Sequence, residues 1–374
     1  MKIFVEEKWI KGETCVFTIS NQFDQIAVKN ALHKMRAPFV EKLKSEGYTI
    51  TTNRNEVDED TICLIMNCES LIKNPKTIEE FKEALKQKIA TSAGSNFHFP
   101  HSVTIEEYFN NPFFPAVFKN ELQNGGKDKF LISTPEQVGI IKYFYEQNKD
   151  DKDIMEGFNN CIIQQFIETP TKYATYMRVL ANGAGEVMGA NLKCSKTDFE
   201  KSKLNSEFEK IFLDPTSKYY INATKMFNYY SGGLEIGLSQ PKYSSDKQEI
   251  LLAHGFNMDD LKLPEEVTDV VKNIMLNCNQ EVGVMCGFDF ILNTDDGHWY
   301  YLENQAFPAI EEWAKPKGIT IPGSHNLKGY IRYNEIELQA REEALRTTIS
   351  YRMQNKNAEK SPVMLTIKPP KENN

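Results

Sequence analysis

The stretch that decides the fold is Cys286-Gly287-Phe288-Asp289-Phe290-Ile291-Leu292-Asn293-Thr294-Asp295-Asp296-Gly297-His298-Trp299-Tyr300-Tyr301-Leu302-Glu303-Asn304-Gln305-Ala306-Phe307-Pro308. Two apolar, aromatic and β-branched runs flank Asp296-Gly297, the strongest short-range hairpin signal a sequence carries. Asp289 and Glu303 each stand seven residues from Asp296. In a tight hairpin they therefore face each other, or fall within one residue of doing so, depending on turn type. Two carboxylates at roughly 5 Å and an effective dielectric near 20 repel by about 3 kcal/mol, and like charges directly opposite destabilise a strand pair. A divalent cation between them would reverse that sign, and hard oxygen donors suit magnesium. The plain alternative is that one carboxylate points to solvent.

Working outward, the whole chain of 374 residues is long enough for one to three domains with a large core. Charged residues make up 26% and hydrophobic ones 40%, as in a soluble globular protein. A formal charge of −8 and a pI near 5.5 speak against nucleic acid or an anionic membrane as partner. No apolar run reaches the length of a membrane span, and acids come too early for a signal peptide, so a cytoplasmic protein is expected. The seven cysteines include no Cys-x-x-Cys pair, which predicts free, mostly buried thiols in a reducing compartment. No His-x-x-x-His occurs, and no zinc site is read.

The N-terminal part, residues 1–76, reads as a small α/β unit. Lys2 to Val5 suits a strand, Asn30 to Tyr48 has helical spacing interrupted at Pro38, and Thr61 to Met66 suits a buried strand. Thr77-Ile78-Glu79-Glu80 is a capping box opening a helix to about Gly94 that carries Lys82, Lys86 and Lys88. Phe114 to Lys119 is a proline-led strand, followed by Gln123-Asn124-Gly125-Gly126-Lys127-Asp128-Lys129 and the strand Phe130 to Ile132. Taken alone, Gly125-Gly126 is a hairpin turn. Thr134-Pro135-Glu136-Gln137 opens a second capped helix. Asn160 to Glu168 is an apolar strand running into polar residues. Tyr173 to Leu180 and Glu186 to Lys193 read as antiparallel strands around Asn182-Gly183. Residues 195 to 250 are polar and tyrosine-rich, with Asn228 to Gly233 as a turn. Leu263-Pro264 opens a helix whose Val267, Val270, Val271, Ile274 and Met275 form a core face. Ile336 to Met353 suits a last amphipathic helix, and the tail 354–374 has a disordered composition.

In their order, these pieces resemble the ATP-grasp superfamily over roughly residues 80 to 315, of the carboxylate–amine ligase type exemplified by glutathione synthetase and ribosomal-protein glutamate ligases. The resemblance rests on Gly287-Phe288-Asp289-Phe290-Ile291, the hairpin, and Tyr301-Leu302-Glu303-Asn304-Gln305-Ala306-Phe307-Pro308. Gln305 stands where the family has asparagine, Ala309 replaces a glycine, and the glycine loop lacks Walker spacing. The resemblance implies an α+β (α/β) fold in which two lobes grip ATP behind a small front domain. The corresponding divisions are 1–76, 77–163, 164–353 and the tail.

The same resemblance implies roles for particular residues. Asp289, Glu303 and Gln305 would hold one or two Mg²⁺ ions, with Mn²⁺ a chemical substitute. Lys88 (with Lys86 as the alternative), Lys119, Gly125, Gly126 and Lys129 would bind the phosphates, with Lys127 nearby. Gln164, Gln165, Phe166 and Ile167 would offer backbone groups to adenine, and Glu168 would meet the ribose. Arg178 and Lys193 would act on the transferring phosphoryl group, where an arginine fork suits phosphate oxygens. Ser231, Gly232 and Gly233 would meet the substrate. The implied reaction activates a carboxylate as an acyl phosphate and couples it to an amine, with amino acid or peptide substrates. A hydroxyl acceptor giving an ester or lactone is one alternative, and a non-catalytic ATP-binding module is another. No nucleic acid or membrane partner is implied, and a homodimer is compatible with the family.

Overall fold

The computed structural model describes residues 1–13, 23–64, 98–120, 128–168, 175–194, 204, 206–225, 234–237, 262–278, 282–293, 295–305, 310–323 and 326–355. Three sheets organise them. The front unit holds β1 (Lys2–Phe4), α1 (Glu7–Ile10), α2 (Gln25–Ser45), β2 (Thr49–Thr51) and β3 (Ile62–Cys63). Its strands run parallel in the order β2-β1-β3. Asp24 caps α2 by accepting the Ile26 and Ala27 N–H groups. Pro38 lies inside α2 and does not interrupt it. Its ring faces solvent, so the carbonyl it fails to bond lies on the watered side of the helix.

The smaller of the two following lobes is built from β4 (Ser102–Thr104), α3 (Ile105–Asn110), β5 (Ala116–Asn120), β6 (Lys129–Ile132), α4 (Pro135–Gln147), α5 (Lys152–Asn159), β7 (Cys161–Gln165) and α6 (Glu207–Phe212). Its antiparallel sheet has the order β4-β7-β5-β6. A full capping box of Thr134 and Gln137 starts α4 with Pro135 in its first turn. One face of this sheet is an aromatic core. Phe118 stacks on Phe130 with centroids 4.6 Å apart, and Phe158, Phe208 and Phe212 close around them. The other face carries Val117, Lys119, Lys129, Leu131, Ile162 and Gln164, none of them fully buried.

The larger lobe contains β8 (Thr175–Asn182), β9 (Val187–Cys194), β10 (Leu234–Gly237), α7 (Glu265–Asn277), β11 (Met285–Leu292), β12 (Trp299–Gln305), α8 (Glu311–Ala314) and α9 (Leu327–Asn355). Its five strands run antiparallel in the order β10-β9-β8-β11-β12. Met177, Val179, Phe288 and Phe290 face α7, which meets them with Val267, Val270, Val271, Ile274 and Met275. Each such buried side chain contributes about 1.5–3 kcal/mol. On the reverse face, Leu180 and Met285 pack under α9 and the front unit. Glu303 of β12 meets Lys119 and Lys129 of the smaller lobe. Asn182-Gly183 opens the β8–β9 turn, where the Asn182 N–H bonds the Glu186 carbonyl. Cys63, Cys161, Cys278 and Cys286 are buried. No helix among the described residues is long and apolar enough to cross a membrane.

Candidate functional site

The β11–β12 hairpin closes through a longer loop than a two-residue turn. Asn293 and His298 pair across it, and Gly297 at its end has φ 76°. The register runs Leu292 with Trp299, Ile291 with Tyr300 and Phe290 with Tyr301, and then shifts. Leu302 is the extra residue of this bulge, and beyond it Asp289 lies opposite Glu303. Strict alternation would have put Glu303 on the core side with Trp299 and Tyr301. The bulge re-aims it to the open side with Asp289.

Two carboxylates side by side require counter-charge, and the protein supplies it. Arg178 sits directly across from Asp289 on β8. Its Nε donates to Asp289 Oδ1 and its Nη2 to Oδ2, both at 2.6 Å, with the side chains only 12% and 5% exposed. Burial works against the guanidinium charge, but the charge and hydrogen bonds of Asp289 outweigh it and hold the group above its ordinary range. The same register row continues to Asn191 on β9.

Glu303 is met from the other lobe. Lys119 and Lys129 are a cross-strand pair on β5 and β6. Their ammonium nitrogens lie 3.7 and 3.8 Å from the same Glu303 oxygen. These are ion pairs longer than hydrogen bonds, and Glu303 is 36% exposed. Three cations from three strands thus converge on two carboxylates in the cleft. A second tie between the lobes lies further along the hairpin. The His98 carbonyl accepts the Tyr301 N–H at 2.7 Å, and its ring stacks on His298 with centroids 4.4 Å apart.

A buried polar knot fixes the root of β6. Asp128, with φ 49°, accepts the Asn120 N–H on its carbonyl and gives its own N–H to Glu209. Glu209 also pairs with Lys225 at 2.7 Å. Burial, joined by the Glu209 charge, pushes the Asp128 carboxyl up. The knot joins Asn120 at the end of β5 to Asp128, the residue before Lys129.

Among the residues expected to form the site, Lys119, Lys129, Arg178, Asp289 and Glu303 come together. Gln164, Gln165, Phe166, Ile167 and Glu168 lie at the end of β7, on the same sheet as Lys119. Two of their backbone donors are already engaged: the Gln165 N–H bonds the His101 carbonyl and the Phe166 N–H the Pro115 carbonyl. This leaves less of that segment open to a ligand edge than the resemblance implies. Lys193 lies on β9 opposite Tyr176, and Gln305 ends β12 opposite Gly287; their side chains are not among those described. Lys82, Lys86, Lys88, Gly125, Gly126, Lys127, Ser231, Gly232 and Gly233 lie outside the described residues. Sequence reasoning missed the Arg178–Asp289 fork and the polar knot of Asp128, Glu209 and Lys225.

Among the described residues no group of three or more His, Cys, Asp or Glu side chains is placed to hold a metal ion. Glu303, open to the cleft beside Asp289, still fits a hard divalent cation whose remaining ligands arrive with an oxyanion.

No family model matches the chain, and no curated protein matches it in sequence. The chain is similar in structure to the ATP-grasp ligase PsnB complexed with minimal precursor, at 10% identity and a TM-score of 0.35, over 83% of this chain and 72% of that one. It is similar to a RiPP-associated ATP-grasp ligase of Chryseobacterium gregarium bound to ADP and a leader and core peptide, at 13% identity and a TM-score of 0.34, over 88% and 74%. It is also similar to D-alanine–D-alanine ligase of Bacillus anthracis complexed with ATP, at 12% identity and a TM-score of 0.35, over 91% and 97%.

Proposed function

We propose that the cleft binds ATP with a divalent cation and that the protein is an ATP-grasp ligase joining a carboxylate to an amine. One observation carries this reading: Lys119 and Lys129 of one sheet converge on Glu303 of the other, beside the Arg178–Asp289 pair. The open face of the smaller lobe adds Val117, Leu131 and Ile162, an apolar platform beside the two lysines. A flat aromatic base followed by a polyphosphate has that division of character.

In this reading Lys119 and Lys129 bind phosphate oxygens, joined by Lys88 and the Gly125-Gly126 loop. Glu303, with Asp289 and Gln305, holds the cation, which when bound neutralises phosphate charge. Arg178 holds Asp289 in place through its two hydrogen bonds, and Lys193 provides a further cation. The segment from Gln164 to Glu168 borders the base and ribose, while Ser231, Gly232 and Gly233 meet the acceptor. The proposed division into a front unit, two lobes and a tail shifts from the boundaries at 163 and 353, because β7 runs to Gln165, α6 (Glu207–Phe212) packs in the core of the smaller lobe and α9 runs to Asn355. The γ-phosphoryl group passes to a substrate carboxylate, so that one P–O bond breaks and another forms. An amine then attacks the acyl phosphate, a C–N bond forms, phosphate leaves and the amine proton is released. The chain itself contributes positioning and charge rather than a nucleophile. Amino acids or peptides are the proposed substrates.

The test uses ATP, magnesium and a panel of amino acids and peptides, with hydroxylamine in place of the amine. A hydroxamate formed in step with ADP supports carboxylate activation. ADP without hydroxamate from any carboxylate would refute it.

A further inference from the structure

The segment from His98 to His101 bridges the two lobes, and the proposed reaction makes no use of it. At one end the His98 carbonyl accepts the Tyr301 N–H of β12 at 2.7 Å, and His98 pairs with Tyr300 as an isolated parallel bridge. At the other end the His101 carbonyl accepts the Gln165 N–H of β7 at 2.7 Å, one residue before β4 begins. The segment is thus a strap from the edge strand of the larger sheet to the smaller sheet. Its first end is held by a pair of imidazoles. The His98 ring lies on the His298 ring with centroids 4.4 Å apart and planes 13° from parallel, and the Tyr300 ring flanks His98 at 5.5 Å. Behind His298 stands Glu266 of α7, with one oxygen 3.2 Å from Nδ1 and the other accepting the Trp299 N–H. Asp296 accepts the Tyr300 hydroxyl and the His298 N–H, which hold its carboxyl below the ordinary aspartate range. Glu266, Asp296 and the neighbouring Asp295 therefore place their negative charge on the His298 side. Among the described residues no carboxylate pairs with His98.

One proton suits this pair of rings and two do not. With His298 charged, Glu266 and Asp296 are its counter-ions and the neutral His98 ring lies on its face as an aromatic partner. A second proton sets like charges face to face at 4.4 Å, with every nearby acid on the other ring. Histidine is the side chain whose ordinary charge change falls between about pH 5 and 8. We propose that His98 and His298 form an acid-sensitive clasp, which holds the strap on β12 at neutral pH and releases it as the pH falls. The repulsion fixes the direction. The clasped form disfavours the second proton, so the clasp contributes at the upper end of the histidine range and is lost at the lower end. Release frees the Tyr301 N–H, two residues before the Glu303 that meets Lys119 and Lys129.

The experiment is hydrogen exchange of the full chain without nucleotide, read by mass spectrometry with fragmentation to the Tyr301 amide. Exchange is measured at about pH 7.5 and about pH 5.5, and each rate is divided by the intrinsic rate at that pH. The Val179 amide, on the central strand β8 of the same sheet, is the reference. Wild type should lose at least about five-fold in protection at Tyr301 at the lower pH, while Val179 keeps its own. His98→Phe keeps a flat ring for stacking and cannot take the second proton, so its Tyr301 protection should be the same at both pH values. His298→Phe removes the other charge and should flatten the profile too, and circular dichroism verifies that each variant folds. Equal wild-type protection at both pH values overturns the proposal. So does a folded His98→Phe chain that loses protection as wild type does. A loss at Val179 as large as that at Tyr301 reports general acid unfolding and overturns it as well.

Discussion

Replacing Arg178 by methionine tests the tightest interaction of the site. The side chains of Arg178 and Asp289 are 12% and 5% exposed, and their two bonds are each 2.6 Å. Removing the guanidinium leaves a buried carboxylate without its charge partner, at a cost of about 3–5 kcal/mol. Arg178→Lys keeps the charge but loses the planar fork, so at most one of the two bonds survives. A lost bond to a charged group costs about 1.5–3 kcal/mol, so the lysine variant should fall roughly midway. Removing both charges, as in Arg178→Met with Asp289→Leu, should recover most of the loss, because no isolated charge remains. The assay is urea unfolding followed by tryptophan fluorescence, since Trp299 and Trp313 both report on the larger lobe. An Arg178→Met chain as stable as wild type would mean that the fork does not form. A double variant as damaged as the single one would mean that the loss comes from packing.

Four further outcomes follow from particular contacts. Lys119→Met and Lys129→Met should each weaken binding of a non-hydrolysable magnesium–ATP analogue by about 1–2 kcal/mol with no loss of stability, as calorimetry and a thermal melt would show. The Asp128 carboxyl is held above an ordinary aspartate's 3.8. A group with a raised folded pKa contributes stability present below its unfolded value and lost as pH rises through the folded one. Asp128→Asn, which tolerates positive φ, should therefore be more stable than wild type at neutral pH and lack this part of the pH slope; a less stable variant would contradict the assignment. Gly185 has φ 79°, and a Cβ there would meet Lys272 of α7 at 2.8 Å. Gly185→Ala should lose about 1–2 kcal/mol in a thermal melt.

Local signals were legible in the sequence. Thr134, Pro135 and Gln137 announced a capped helix because each acts within one turn, and the apolar face of Val267, Val270, Val271, Ile274 and Met275 followed from helical period alone. The opposition of Asp289 and Glu303 was readable by counting from Asp296, yet the count rested on a compensation. The longer loop displaces the register by one residue and the bulge at Leu302 restores it. Pro38 looked like a break because sequence does not reveal which side of the helix faces water. What the sequence hid was non-local. The pairing of β8 with β11 joins residues 111 positions apart, so nothing nearby marks Arg178 as the partner of Asp289. Lys129 gained weight only once β5 and β6 were seen to aim it and Lys119 at one oxygen.

The central claim is that the cleft between Lys119, Lys129 and Glu303 binds a nucleotide polyphosphate. Titration of a magnesium-bound, non-hydrolysable ATP analogue into wild type and into the Lys119→Met/Lys129→Met double variant tests it most directly. The account predicts one site per chain in wild type and a loss of at least about ten-fold in affinity in the folded double variant. No binding by wild type, or equal binding by both, would contradict it.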